Sequence, residues 1–127
     1  MKSINQQIII EASPQEVYDA LMDSKIHSEF TGAKAVIENK VNGKFTVWDG
    51  YAMGNNIELV PGKKIVQSWR ASDWLDKEES TVTYDLTEKE GKTILDFTQT
   101  NIPVTFYDDI KQGWEDYYWQ PLKKYFK

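Results

Sequence analysis

The chain has 127 residues, of which 40% are hydrophobic and 28% are charged, and these values indicate one globular domain over residues 1–127. Its net charge of −5 and pI of about 4.9 argue against binding to a nucleic-acid backbone or to an anionic membrane, since both need a basic surface. The chain contains no cysteine and no apolar run long enough to span a membrane, so we expect a cytoplasmic protein without disulfides or thiolate chemistry.

The first predicted elements are a strand and two helices. The strand covers residues 4–11 and is followed by a capping box, with Ser13 as the N-cap, proline at the first helical position and Glu16 at the third. A helix with an apolar face begins there. A second short helix is predicted over residues 25–30, where Gly32 stops it.

Three β-hairpins are predicted next, because turn residues separate runs of alternating apolar and polar side chains. The predicted strand pairs are 35–41 with 44–48 across Asn42-Gly43, 55–60 with 63–71 across Pro61-Gly62, and 81–86 with 93–100 across the loop 88–92. Consecutive hairpins predict an antiparallel meander.

The C-terminal third predicts one long helix with an aromatic face. Pro103 ends the last strand, and Thr105 is the expected N-cap. Gly113 in mid-helix suggests a close backbone approach, and Pro121 suggests a kink. The apolar stripe consists of Ile110, Trp114, Tyr118, Leu122 and Tyr125.

This order of elements predicts the fold. An antiparallel sheet must bury one face, and the final helix is the long element available to cover it. We therefore predict an α+β helix-grip fold: a curved antiparallel sheet of about six to seven strands, two short helices after the first strand, and a long C-terminal helix packed across the sheet.

The alternation along the strands predicts which side chains face the final helix. This face either fills a core or lines a pocket for an apolar ligand. Gln67 is polar on this face, so it needs a partner, which would be Tyr84, a water or a ligand. The candidate pocket residues are Phe45, Val47, Ile57, Leu59, Gln67, Trp69, Val82, Tyr84, Leu95 and Phe97, with Ile110, Trp114 and Tyr118 from the final helix.

The sequence offers little that resembles a catalytic or metal site. His27 is the single histidine and lies on a short polar helix, so we expect it to be exposed. With one histidine and no cysteine we expect no metal site, and we expect no cofactor. The carboxylate pairs Asp108-Asp109 and Glu78-Glu79 are explained by helix capping and by a loop. Phosphate-loop, dinucleotide-binding and nucleophile-elbow motifs are absent.

Five different short motifs occur along the chain, each at one position. They are Gly-x-Phe at 43–45, Asp49-Gly50, Val-Pro-Gly at 60–62, Trp69-Arg70 and Gly113-Trp114. Together they resemble the activator of 90 kDa heat shock protein ATPase homologue family, over residues 8–126. That family belongs to the START-like superfamily, also called birch-pollen-allergen-like. The resemblance implies the same helix-grip fold and an internal hydrophobic cavity.

The resemblance also bears on function. It implies a stand-alone member of the bacterial type. In the eukaryotic co-chaperone, a separate N-terminal domain makes much of the chaperone contact, so chaperone stimulation does not carry over residue by residue. Some members of the superfamily are polyketide cyclases or hydrolases.

Three functions are compatible with the sequence. The favoured one is non-enzymatic binding of a small hydrophobic molecule between the sheet and the final helix. The alternative is a co-chaperone-like module of the stress response that stimulates a 90 kDa heat-shock chaperone ATPase. The third is a cyclase- or hydrolase-type enzyme that uses Tyr84, Gln67 or His27 as acid or base.

Trp48 and Trp74, near predicted turns, would be exposed contacts or loop anchors.

Overall fold

The computed structural model describes residues 2–75 and 78–127, and within them seven strands form one antiparallel sheet in the order β1-β7-β6-β5-β4-β3-β2. The prediction of a helix-grip fold is confirmed, because a long C-terminal helix covers one face of this sheet. The strands are β1 (Lys2–Ile10), β2 (Val36–Ile37), β3 (Lys44–Val47), β4 (Ala52–Val60), β5 (Lys64–Ala71), β6 (Ser80–Lys89) and β7 (Lys92–Ile102).

The helices follow the predicted order. The first two are α1 (Pro14–Met22) and α2 (Ser24–Thr31). The final helix spans residues 104–125 in four parts: a 3-10 turn (Val104–Phe106), α3 (Tyr107–Trp114), a π-helical turn (Glu115–Trp119) and α4 (Gln120–Tyr125). Within residues 2–75 and 78–127, none of the helices combines the length and the apolar composition needed to cross a bilayer.

Local signals set the ends of α1 and α2 as predicted. The Ser13 hydroxyl accepts a hydrogen bond from the Glu16 N–H at 3.2 Å, and the Glu16 carboxylate accepts one from the Ser13 N–H at 3.0 Å. Gly32 ends α2 in the left-handed conformation, with φ of +78°. Both signals need no tertiary contact, since each involves residues close in sequence.

The first and last strands lie side by side. β1 pairs antiparallel with β7, so that Ile8 lies opposite Leu95. The three predicted strand pairs are found, β2 with β3, β4 with β5, and β6 with β7, although residues 38–43 connect the first pair instead of Asn42-Gly43 alone. In addition, β3 pairs with β4 and β5 pairs with β6. The pairing of β1 with β7 joins segments about 90 residues apart, a distance at which hairpin signals carry no information.

The predicted strand 35–41 is shorter than expected, because β2 contains two residues. The Asn56 side-chain amide donates hydrogen bonds to the carbonyl oxygens of Glu38 at 2.7 Å and Lys40 at 3.1 Å. The chain therefore turns around Asn56 instead of extending the ladder. Asn42, with φ of +67°, completes this turn.

A β-bulge overturns the predicted orientation of Ile57. The register between β4 and β5 shifts between Asn56 and Glu58, so Asn56 points inward with 1% exposure and Ile57 points outward with 51% exposure. The prediction that Ile57 lines a pocket is wrong, since a bulge inverts the alternation on which it rested. Leu59 is half-buried at the edge of the core.

The final helix departs from a regular α-helical stripe at the π turn. The Gln120 N–H donates to the Glu115 carbonyl five residues earlier, and this wider turn brings both Tyr118 and Trp119 into the core. Tyr125, predicted to complete the stripe, is 42% exposed. The π turn lies directly before Pro121, which has no N–H to continue the α-helical pattern.

The start of the final helix also differs from the prediction. Thr105 lies inside the 3-10 turn, and no side-chain cap is found for α3 among the described residues. Asp108 and Asp109 do lie in the first turn of α3, where negative charge suits the helix dipole.

Candidate functional site

Most of the predicted pocket residues lie in a packed interior between the sheet and the final helix. The space that they enclose is about 10 Å³, near the lower limit of about 10–15 Å³ that one water needs. This interior therefore has no room for a ligand, and a ligand site must be sought elsewhere along the final helix. The buried members of the predicted set are Phe45, Val47, Gln67, Trp69, Val82, Tyr84, Leu95, Phe97, Ile110, Trp114 and Tyr118.

A larger space, which we call the aromatic groove, opens where residues 48–51 of the β3–β4 turn meet the final helix. Its volume is about 500 Å³. Four buried side chains form its floor: Trp69, Ile110, Trp114 and Tyr118. Its sides and rim are partly or fully exposed, so the groove is open to solvent; they consist of Trp48, Tyr51, Asp109, Gln112, Gly113, Asp116 and Tyr117.

A strained turn positions Trp48 in the groove wall. Trp48, Asp49 and Gly50 all have positive φ, at +55°, +56° and +90°, and such a conformation costs a bulky residue of order 1–3 kcal/mol. Paired hydrogen bonds oppose this cost: the Asp49 N–H donates to the Lys34 carbonyl at 3.0 Å, and the Asp49 carboxylate accepts from the Lys34 N–H at 3.1 Å. The Trp48 ring then packs edge-on against Tyr117, with centroids 5.1 Å apart.

A buried hydrogen-bond chain orients Trp114 in the floor. The Trp114 indole N–H donates to Gln99 Oε1 at 2.7 Å, and Gln99 Nε2 donates to the Ser80 hydroxyl at 2.9 Å. Ser80 in turn donates to the Trp69 carbonyl at 2.7 Å. Sequence analysis missed Gln99 and Ser80, although both extend the inward alternation of their strands as polar residues, which was the available signal.

The rim of the groove is acidic. Asp109 and Asp116 are exposed, and Asp116 accepts a hydrogen bond from the Gln112 amide at 3.0 Å. Burial raises the pKa of Tyr51 above its ordinary value, and the nearby carboxylates of Asp73 and Asp109 raise this pKa further. The Tyr51 hydroxyl is therefore neutral and adds no negative charge of its own.

Gly113 leaves space in the groove. A Cβ atom added there would meet, within 4 Å in the described part of the chain, one side-chain atom, Tyr117 Cδ2 at 3.8 Å. The predicted close backbone approach at Gly113 is therefore wrong. Gly54 on β4 is the tight position instead, since its added Cβ would lie 1.8 Å from the Ser68 carbonyl oxygen.

His27 is buried, contrary to the prediction that it is exposed. It is 3% exposed, and its Nδ1 lies 3.1 Å from the Leu21 carbonyl oxygen. A carbonyl can only accept, so Nδ1 carries the proton, and Nε2 accepts from the Tyr118 hydroxyl at 3.1 Å. Sequence analysis failed because α2 is polar on average, whereas its inner side packs beneath the final helix.

We expect the burial of His27 to make folding stability depend on pH. Burial lowers the pKa of His27 from 6.5 to about 4. Between pH 6.5 and pH 4, His27 is therefore protonated in the unfolded chain but neutral in the folded protein. Stability is fully present above pH 6.5 and falls by about 3 kcal/mol as the pH falls to 4. Urea unfolding at pH 7 and pH 4, for the wild type and His27→Gln, measures this loss. An equal loss in both proteins would contradict the assignment, since carboxylates titrate in both.

The other predicted acid–base candidates lie in the packed interior. Gln67 Nε2 donates to Asn56 Oδ1 at 2.9 Å, so its partner is Asn56 rather than Tyr84. Burial raises the pKa of Tyr84 well above its ordinary value. Neither residue, nor His27, is among those that line the groove. Within residues 2–75 and 78–127, no group of three or more His, Asp or Glu side chains could hold a metal ion.

Trp74 anchors the loop that follows β5. It is buried, stacks on Phe106 with centroids 6.0 Å apart, and packs edge-on against Trp69 at 5.5 Å. Of the two interpretations of Trp74, an exposed contact or a loop anchor, its burial supports the loop anchor. Trp48 is half-buried and lines the groove instead. In the described part of the chain, the indole N–H groups of Trp48 and Trp74 are buried without an acceptor.

Comparisons with known proteins give consistent results. The sequence model of the family described as "Activator of Hsp90 ATPase homolog 1-like protein" matches residues 11–127. The human activator of 90 kDa heat shock protein ATPase homolog 1 is 34% identical over 114 residues, and the Dictyostelium discoideum homologue is 33% identical over 116. Each match covers 90% of this chain but about a third of the relative, 34% and 30% respectively.

Two solved structures match over nearly their whole length. The crystal structure of an HSP90 activator from Plasmodium falciparum is 26% identical, with a TM-score of 0.92 over 98% of this chain and 96% of that one. The solution structure of the Aha1 dimer from Colwellia psychrerythraea has a TM-score of 0.83 at 21% identity, over 99% and 96% of the two chains, and this likeness concerns the fold. By its sequence and its fold, this chain belongs to the family of activator of Hsp90 ATPase homolog 1-like proteins.

Proposed function

We propose that this chain is a co-chaperone-type module that binds a 90 kDa heat-shock chaperone and stimulates its ATPase. The match to the Plasmodium HSP90 activator supports this proposal most directly, because it covers 96% of that protein. The human relative is covered over 34% of its length, so any activity of its other regions is outside this proposal. A cytoplasmic location, where such chaperones and a cysteine-free protein would meet, is part of the proposal.

The ATPase rate of a purified 90 kDa heat-shock chaperone tests this function. We expect the steady-state rate to rise and to saturate as the protein is added. The net charge of −5 favours contact with a basic surface, so the half-saturating concentration should increase with salt. Trp114→Ala, which we expect to leave little folded protein at 37 °C, is the negative control. A flat rate at large molar excess of the folded protein would contradict the proposal.

We propose as a second function that the aromatic groove binds a small apolar molecule. The groove supports this proposal because its volume of about 500 Å³ is in the range of about 300–1,000 Å³ that small-molecule sites occupy. Its floor is buried and oriented by the hydrogen-bond chain through Gln99.

Tryptophan emission tests the second function. Three of the five tryptophans line the groove, so an aromatic compound that enters it should change the emission in a saturable way. Gly113→Leu should abolish this response, since a side chain at position 113 occupies the groove without a backbone clash. An unchanged response in that variant would place the binding elsewhere.

A further inference from the structure

We infer that the aromatic groove takes an organic cation, a small molecule with an aromatic or aliphatic body and a protonated amine or quaternary ammonium group. The inference rests on the proposed small-molecule function of the groove and adds the charge of the ligand. It is carried by the juxtaposition of aromatic walls and two rim carboxylates.

The aromatic content of the groove is the first step. Of the eleven described residues that line it, six are tryptophan or tyrosine. Such rings attract a cation placed within about 6 Å of the ring centre, and tryptophan does so best. The Trp48 and Tyr117 rings meet edge-on with centroids 5.1 Å apart, and the Trp114 and Tyr118 rings lie 4.6 Å apart. Trp48 and Tyr117 are partly exposed, so an ammonium group beside this pair can lie within about 6 Å of both ring centres.

The charge of the rim is the second step. Asp109 and Asp116 are the only ionised side chains among the described lining residues, so the groove carries a formal charge of −2. The nearby cation Lys111 lies over the Tyr107 ring, 5.7 Å from its centre, and is not a lining residue. Across residues 2–75 and 78–127, the single salt bridge is Lys92 to Glu11, away from the groove. An anion would be repelled here and a cation attracted.

The shape of the groove is the third step, and it favours a small molecule. Gly113 contributes no side chain, and the buried floor allows a ligand body to lose contact with water while its ammonium group stays near the exposed carboxylates. Because the rim carboxylates are exposed to water, dissolved ions screen their attraction for the ammonium group. This attraction should therefore weaken as the salt concentration increases.

A pair of isosteric probes tests the inference. Benzyltrimethylammonium and neopentylbenzene have the same shape, but the first carries a positive nitrogen where the second carries carbon. We expect the cation to bind about tenfold more tightly, as the ring and carboxylate contacts predict. Tryptophan emission and chemical shifts of the indole N–H groups report binding to the intact protein. Raising the salt concentration should weaken the binding of the cation and leave the affinity for the neutral probe unchanged.

Charge-removing variants provide the matched controls. The double variant Asp109→Asn, Asp116→Asn should lower the affinity for benzyltrimethylammonium about tenfold and leave that for neopentylbenzene unchanged. Asp85→Asn, on the exposed outer face of the sheet, removes a charge that does not line the groove and should change neither affinity. Because all these positions are exposed, the variants should fold like the wild type.

Three results would overturn the inference. Tighter binding of neopentylbenzene, with no effect of the aspartate variants, would leave an apolar groove and would spare the second proposed function. Binding of neither probe at millimolar concentration would remove both the inference and that function. Tighter binding of a short lysine peptide than of benzyltrimethylammonium would assign the cation to a protein chain rather than to a small molecule.

Discussion

Trp114→Ala is expected to leave little folded protein at 37 °C. The Trp114 side chain is 3% exposed, and its ring lies 4.4 Å from Phe97 and 5.5 Å from Trp119 between centroids. Truncating a buried tryptophan costs about 3–5 kcal/mol. The change also leaves the buried Gln99 Oε1 without its donor, and an unsatisfied buried acceptor costs about 1–3 kcal/mol. A combined loss of about 4–8 kcal/mol is comparable to the whole stability of many domains, about 5–15 kcal/mol.

Thermal unfolding followed by circular dichroism measures this effect. Trp114→Phe keeps much of the ring packing but loses the indole N–H, so it should cost less than the alanine variant and report the hydrogen bond separately. Tyr117→Ala is the matched control from the next turn of the same helix. Tyr117 is 55% exposed, so we expect a change of about 1 kcal/mol or less. A cooperative transition near the wild-type temperature in Trp114→Ala would refute the central role of this residue.

Gly54→Ala is expected to destabilise the sheet by about 3 kcal/mol or more. The added Cβ would lie 1.8 Å from the Ser68 carbonyl oxygen and 2.9 Å from Phe45 Cε2. The first atom belongs to the backbone of β5, so it can move only if the strands separate. Overpacking a close contact costs about 1–3 kcal/mol and sometimes more, and a backbone clash lies at the upper end of that range.

Gly113→Ala is the matched control, and its sign should be opposite. The Cβ at position 113 meets one side-chain atom at an ordinary distance of 3.8 Å, and alanine is favoured over glycine in a helix by about 1 kcal/mol. Urea unfolding of both variants therefore compares the same chemical change at a tight and at an open glycine. Equal and small effects of the two substitutions would show that the clash at Gly54 is relieved by local adjustment.

The contrast between these glycines shows where sequence analysis was limited. Gly113 was predicted to be the tight position because glycine is unfavourable inside a helix, whereas Gly54 lay outside the predicted strand 55–60. Which glycine is crowded depends on the distance to a strand or side chain remote in sequence. Propensity describes the backbone of one element and cannot measure that distance.

The candidate site was predicted in part. The aromatic face of the final helix and the inward strand residues were read from period-4 and period-2 patterns, and most of those residues are buried. The orientation of Ile57 and the inward position of Trp119 were not predicted from these patterns, because a bulge and a π turn each insert one residue and change the period. The groove itself was missed, since its wall includes Trp48 and Tyr51 from a turn that alternation does not describe.

The sequence alone determined the order of the elements, the capping box at Ser13, the β4–β5 and β6–β7 hairpins, the helix-grip fold and the family. The caps, hairpins and helix faces depend on short-range rules of capping, turns and periodic burial, and the fold and family follow from the order of the elements and from the motifs taken together. The tertiary structure alone decided that the interior between sheet and helix is filled, that His27 is buried against Tyr118, and that an acidic aromatic groove lies beside the final helix. Each of these depends on how closely residues distant in sequence pack, and periodicity carries no information about that distance.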